Sequence, residues 1–192
     1  MTRRIAGFTL IELMIAIVVI GIAMTLAVPS FNGMVQRNRM GPQVNDFLLA
    51  INLARSEAMR RGSPVTIQSM DNGAENDNEF GNGYCVQVGV QGTGFSTSCT
   101  YNASKCAPSQ TTGCILRRFE ELTGTASLDS VEGASAISFG PLGELLLPAA
   151  IQNLDMCDSR NLTDGRRIRI ALVGRSKSHR SDDPDSAKQP SC

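Results

Sequence analysis

An apolar run at residues 8–28, with one charge inside it, constrains this chain more than anything else in it. The run holds 21 residues and the charge is Glu12. At ~1.5 Å rise per residue, a helix of this length crosses a hydrocarbon core of ~30 Å. The carboxylate is the unusual part. A charged side chain at the centre of a span costs roughly 2.5–3.5 kcal/mol, and a Glu near one end still has a cost. An acid in such a run is a functional-site candidate and calls for a partner. Three readings compete. A secretory signal peptide would use Arg3 and Arg4 as its basic start and be cleaved after Thr25-Leu26-Ala27. An ordinary single-span anchor would stay in place. Both leave Glu12 without a role.

The third reading rests on the residues around Glu12. Gly7-Phe8-Thr9-Leu10-Ile11-Glu12-Leu13-Met14 resembles the N-terminal signature of type IV pilins and type II secretion pseudopilins. The resemblance implies that residues 1–7 are a leader removed after Gly7. Phe8 becomes the N-methylated first residue and Glu12 the fifth. It further implies that Glu12 faces the N-terminal amine of a neighbouring subunit and so selects axial register during assembly. Pro29 fits the same pattern, because pilins commonly bend their helix near this point and continue.

Beyond the run, residues 31–40 are mixed polar, and Gly41-Pro42 predicts a further kink or a short gap. Val44, Phe47, Leu48, Ile51, Ala54 and Ala58 then recur at three- and four-residue steps, an amphipathic helix with one buried stripe. Arg60 and Arg61 suit the dipole at its end, and Gly62 stops it. The chain beyond Gly62 is β-rich. Strands are predicted at 65–68, 84–90, 114–120, 136–139, 144–147 and 166–173, the second half-buried by its period-two alternation. Residues 71–83 and 92–113 read as loops, and Gly140-Pro141-Leu142-Gly143 as a hairpin turn. The fold class is α+β. In the terms of the resemblance it is a type IV pilin fold: a long N-terminal α-helix, transmembrane half plus amphipathic half, packed on antiparallel β-sheets. The expected domains are a leader 1–7, a transmembrane and assembly helix 8–28, an amphipathic helix 29–62 and a β-rich head 63–192.

Six cysteines, Cys85, Cys99, Cys106, Cys114, Cys157 and Cys192, all lie beyond the apolar run. An even count in an exported domain reads as disulfides, with fifteen connectivities open. The preferred arrangement ties the tail by Cys157–Cys192 and staples the middle with the other four. No metal site is expected: there is no Cys-x-x-Cys and the sole histidine is His179. Arg3 and Arg4 argue for a cytoplasmic N-terminus and an exported head.

Later segments narrow the resemblance. Residues 52–67, from Asn52-Leu53-Ala54-Arg55 through Gly62-Ser63-Pro64-Val65-Thr66-Ile67, are similar to the helix-to-strand segment of H-type pseudopilins and FimT- and FimU-like minor pilins. Phe139-Gly140-Pro141-Leu142-Gly143 and Leu154-Asp155-Met156-Cys157-Asp158-Ser159-Arg160 resemble two further motifs of that group. The chain departs from it in lacking Trp: Phe80 precedes Gly83-Tyr84 where the group often has Trp.

No catalytic constellation stands out. His179 sits in a Ser/Arg/Asp-rich tail, Gly92-Thr93-Gly94 lacks a phosphate-loop context, and Asp182-Asp183-Pro184-Asp185 does not fit a Ca²⁺ loop. The chain is read as a non-enzyme without cofactors. Net charge is zero, and loss of residues 1–7 leaves sixteen basic against eighteen acidic residues, a net −2. Only a local patch can therefore attract nucleic acid. Arg160, Arg166, Arg167, Arg169, Arg175, Lys177 and Arg180 supply one, with Asp164 the single acid among them. Gly174-Arg175-Ser176-Lys177 also resembles the Gly-Arg-x-Arg motif with which FimT-like minor pilins bind DNA during natural transformation. The bland alternative is a solvated strand face with a flexible tail.

The resemblance thus implies a minor pilin of a type IV pilus, acting in assembly priming or at the tip, in twitching motility, and in DNA uptake through Arg167, Arg169, Arg175, Lys177 and Arg180. The alternative is an H-type minor pseudopilin of type II secretion. Implied partners are other pilins or pseudopilins through the helix, prepilin peptidase, the inner-membrane assembly platform, the inner membrane and double-stranded DNA. The implied location is the bacterial inner membrane as a single-pass protein with a periplasmic head, then the filament.

Overall fold

The computed structural model describes residues 9–70, 79–89, 99, 106–107, 113–158 and 165–192, without the side chains of 26–37 and 186. Among the described residues one α-helix, α1 (Leu10–Arg61), is followed by nine strands and a short 3-10 turn at Ser186–Lys188. It runs unbroken past Pro29 and through Gly41-Pro42, where a gap was one of the expected outcomes. Pro42 removes the N–H that would bond the Asn38 carbonyl, and both residues are exposed, so water can satisfy that oxygen. Buried Met40 and Val44 anchor the helix on either side of it. The chain divides into two units at Arg39/Met40.

In the second unit, α1 buries Met40, Val44, Phe47, Ala50, Ile51, Ala54 and Ala58, which is the stripe the periodicity predicts with Met40 and Ala50 added and Leu48 at its margin. Arg60 and Arg61 occupy the last turn, and Gly62 follows with φ +62°, the left-handed position that glycine adopts without strain.

Two antiparallel sheets complete this unit. The first has strand order β3 (Cys114–Phe119), β2 (Tyr84–Val88), β1 (Val65–Ser69), β5 (Ala136–Phe139), β6 (Leu145–Leu147). The second has order β4 (Ala126–Ser130), β7 (Gln152–Asp158), β8 (Arg166–Ile170), β9 (Ser176–Arg180). Alternate residues of both sheets, among them Ile67, Val86, Ile137 and Phe139 from one and Leu128, Leu154, Met156 and Ile168 from the other, join the helix stripe in one core. Phe80, where the Trp of the resembling group would stand, is fully buried there and packs edge-on against Phe47 at 5.4 Å.

Three strands have no counterpart in the sequence reading: β4, β7 and β9. Their residues, such as Ser176-Lys177-Ser178-His179-Arg180, carry little apolar alternation because β4 and β9 are sheet edges and one face of β7 meets a polar layer. The strand predicted at 166–173 ends at Ile170. The half-burial expected of β2 is corrected as well: every residue of it is buried. Its second face is covered through the Cys85–Cys99 disulfide, with Ile115 and Met70 packed beside it. The other bridges are Cys106–Cys114 and the expected Cys157–Cys192. Most of the loops read at 71–83 and 92–113 lies outside the described residues.

Candidate functional site

At the helix start, Gly7 and Phe8 lie outside the described residues. Thr9 precedes the first helical residue, its hydroxyl accepts the Glu12 N–H at 3.3 Å, and its own N–H donates to Glu12 Oε2 at 3.5 Å. This is a capping box, in which two groups each satisfy the other's otherwise orphaned amide. The pattern Thr-x-x-Glu before an apolar run is its sequence signal, which is easily passed over in favour of the charge of Glu12 alone. Between Leu10 and Met24 the large apolar side chains are at least half exposed on every side of the helix. A helix apolar all round is buried when it works. No helix among the described residues is long and apolar enough to cross a membrane. The described side chains of the run end at Thr25.

The second candidate lies on β8 and β9. These strands pair antiparallel with Arg167 opposite His179 and Arg169 opposite Lys177, while β7 puts Asp155 opposite Arg167. Alternation then sets Arg167, Arg169, Arg175, Lys177 and His179 on one face. They do not share one fate. Arg167 is 8% exposed and held by Asp155 through two bonds, Nε to Oδ1 at 2.7 Å and Nη2 to Oδ2 at 2.6 Å. Its remaining donors reach the Ala187 carbonyl at 3.1 Å and Ser191 Oγ at 3.1 Å. Donating to Asp155 raises the Arg167 pKa, against the opposing effect of burial. A guanidinium so engaged is a structural tie and is not offered to a phosphate.

That tie fastens the tail. Ser191 N–H donates to Asp155 Oδ2 at 2.8 Å, and Cys192 is bonded to Cys157. Gly165 makes room for this, since a Cβ there would overlap the Cys192 sulfur. The acidic stretch is likewise folded. Asp183 Oδ1 accepts the Asp185 N–H at 3.0 Å and its Oδ2 meets His179 Nδ1 at 3.0 Å; these two bonds, in that order, lower its pKa. Asp185 pairs with Lys188 at 2.8 Å. The flexible tail of the bland reading is therefore replaced by a strap across the sheet.

What remains outward is Arg175 and Lys177, both exposed, with half-buried Arg169 opposite Lys177 and close enough to Lys188 to repel it. Arg180 is exposed but pairs with Arg166 on the opposite face of the sheet. Arg160 lies outside the described residues. β9 is also a sheet edge, where charged side chains discourage strand addition. Gly174 has a separate duty. In the β8–β9 turn the Gly174 N–H donates to the Ala171 carbonyl at 2.8 Å, and its φ is +74°. A Cβ there would overlap the Gly143 carbonyl oxygen.

Gly143 closes the β5–β6 turn in the same way, its N–H donating to the Gly140 carbonyl at 2.9 Å with φ +79°. The helix joins the two turns. Arg55 donates from Nε to the Gly143 carbonyl at 2.9 Å and from Nη2 to the Val173 carbonyl at 3.2 Å, and the Leu145 N–H reaches the Leu172 carbonyl at 2.8 Å. Sequence reasoning gave Arg55 no role. Nothing local could have revealed one, since its partners lie 88 and 118 residues away.

Comparison with known proteins agrees with this architecture. A family model described as type II transport protein GspH matches residues 43–174. A second, described as a prokaryotic N-terminal methylation motif, matches residues 2–28. No curated protein sequence matches significantly. Among solved structures the chain is similar to the type IV minor pilin FimU of Pseudomonas aeruginosa strain PAO1 in two crystal forms. One has a TM-score of 0.58 at 19% identity, covering 82% of this chain and 97% of that one. The other has a TM-score of 0.53 at 18% identity, covering 80% and 97%. Identities this low speak for the shared fold.

Proposed function

Because the chain belongs to the GspH family and carries the prokaryotic N-terminal methylation motif, it is a pilin or pseudopilin subunit, and we propose that it serves as a minor pilin of a type IV pilus. Proteins of this kind are structural subunits and not enzymes; they work by assembling with other pilins or pseudopilins into a filament. The reading has the leader cleaved after Gly7 by prepilin peptidase, Phe8 methylated, and residues 8–28 holding the subunit in the inner membrane before the assembly platform moves it into the filament. Glu12 then gives up half of its capping box to face the amine of a neighbouring subunit. An ionised carboxylate out of water needs a counter-charge, and the amine supplies it.

One observation favours a pilus over a type II secretion pseudopilus, the alternative reading. Lys177 projects from an edge strand, with Arg175 in the turn just before that strand and Arg169 opposite Lys177, and no acid is paired with any of the three among the described residues. Such a face suits the phosphate backbone of DNA, so we extend the role to DNA uptake. Lys177 can meet phosphate as a point charge, without the bidentate geometry of Arg. Binding of this type is sequence-independent and steeply salt-dependent. Likeness to the fold of the minor pilin FimU is in keeping with the pilus reading.

The experiment is a deletion of the gene followed by two assays in one strain, surface piliation with twitching and export of folded proteins. Loss of piliation with normal export supports the pilus. Loss of export with normal piliation sinks it in favour of the pseudopilus. For DNA, the affinity of the full chain for duplex DNA is measured at low salt and again at several-fold higher salt. Arg175→Ala with Lys177→Ala should abolish the salt-sensitive component; unchanged binding removes the DNA role.

A further inference from the structure

The chain beyond β9, residues 181–192, lies across the outer face of the second sheet, held there by polar bonds and one disulfide. None of the described core side chains belongs to this strap. It is nevertheless folded. The Asp183 N–H donates to the Arg180 carbonyl at 3.2 Å, Gln189 Nε2 to the Asp183 carbonyl at 2.8 Å, and the Ala187 N–H to Asp185 Oδ1 at 3.1 Å. A segment with few buried apolar contacts opens locally at low cost. Cys157–Cys192, joining positions 35 apart, is the one tie that does not part when those hydrogen bonds do.

What the strap lies over is cationic. Its Asp183 holds His179, its Ala187 carbonyl accepts from Arg167 Nη1, and its Lys188 sits close enough to Arg169 to feel that charge. Arg169 is half-buried, whereas Arg175 and Lys177 are exposed. The strap itself carries three Asp against one Lys, a net −2, and that Lys is already paired with Asp185 at 2.8 Å. His179 and Lys177 are two positions apart on one strand face, roughly 7 Å. Asp183, bonded to His179, thus brings its carboxylate near Lys177 on the scale of the ~10 Å screening length at 0.1 M salt. The strap offsets much of the charge that Arg169, Arg175 and Lys177 would offer a polyanion.

We infer that residues 181–192 are an autoinhibitory cover, latched by Cys157–Cys192, that holds down the affinity of the β8–β9 face for DNA. Lifting it bares Arg169 beside Arg175 and Lys177 and carries the strap's net −2 away from them. This role rests on the DNA-binding reading of that face and adds its regulation. The Arg167–Asp155 pair joins β8 to β7 and needs no residue of the strap, so the sheet stays whole when the cover lifts.

The test compares the full chain in detergent micelles with its Cys157→Ser, Cys192→Ser variant, by amide hydrogen exchange and by duplex DNA binding over a range of salt. Without the latch, the amides of the strap should exchange faster while those of β7 and β8 stay protected. Affinity at low salt should rise about fivefold, and the salt slope should steepen by about one, the share of one added phosphate contact. Arg169→Ala should cost more affinity in the unlatched chain than in the latched one. Should the unlatched chain fail to fold, Asp183→Asn with Asp185→Asn in the disulfide-bonded chain removes two of the three acids and should raise affinity severalfold. Any of four results overturns the cover: a strap as protected without its disulfide as with it, an opened strap with no gain in affinity, an equal cost of Arg169→Ala in both chains, or no gain from the two Asn substitutions. DNA binding by the parent with no gain on opening leaves the DNA reading standing and removes only the cover. Binding by neither chain removes both.

Discussion

Arg167 and Asp155 face each other across β8 and β7 in a two-point ion pair, with side chains 10% and 6% exposed. The pair receives the Ser191 amide and the Ala187 carbonyl, so it holds the tail as well as the sheet.

Breaking that pair from one side leaves a charge buried without its partner. Asp155→Ala should destabilise the protein by about 3–5 kcal/mol. Residues near Ser191 should become open to proteolysis while Cys157–Cys192 still holds the last residue. Replacing both partners, as Asp155→Leu with Arg167→Met, should recover most of the loss. Chemical denaturation of the three variants measures this, and a double variant as unstable as the single one would contradict it.

Gly174 and Gly124 form a matched pair for a second test. Both have positive φ, +74° and +88°, but a Cβ at 124 meets open space while one at 174 overlaps the Gly143 carbonyl. Gly124→Ala should cost about 1–2 kcal/mol for the left-handed backbone alone. Gly174→Ala should cost more, and thermal denaturation will rank them. Loss of DNA binding in Gly174→Ala would then report a damaged turn.

Glu12 has two duties that one substitution separates. Glu12→Gln keeps a side chain able to complete the capping box with Thr9 but removes the charge. Glu12→Ala removes both. If the charge directs assembly, both variants insert in the membrane and both enter filaments poorly, as scored by fractionation and immunoblotting of sheared filaments. Filament entry by the Gln variant at the parent level would assign the role to the cap.

Acid should loosen the helix end and the tail turn. Arg60, followed by Arg61, lowers the pKa of Glu57 below 4.5, and the Asp185 amide lowers that of Asp183 below 3.8. Groups whose folded pKa is depressed contribute stability that is present above the unfolded value and lost as pH falls through the folded one. The melting temperature should therefore drop below about pH 4.5, and Glu57→Gln should flatten the upper part of that drop. An unchanged profile in that variant would remove Glu57 from the account.

The stripe on α1 from Val44 to Ala58 was readable because a helix repeats every 3.6 residues and its buried face follows from spacing alone. β1 and β5 were equally readable, being short apolar strands with turn residues beside them. β9 was not, because an edge strand with polar faces has no period to detect. The basic cluster was visible as composition, yet composition could not say that Arg167 is committed to Asp155 and Arg180 turned to the opposite face while Arg175 and Lys177 stay outward.

The sequence alone determined the N-terminal signature, the long helix with its buried stripe, the stop at Gly62 and the family. Each of these depends on residues within a few positions of one another, where backbone geometry fixes who meets whom. Only the tertiary structure decided which cations are free to act, how the tail is fastened and that Arg55 joins two distant turns. Those outcomes depend on strand register and on contacts across as many as 118 residues, and a side chain's partner there is set by the assembled core.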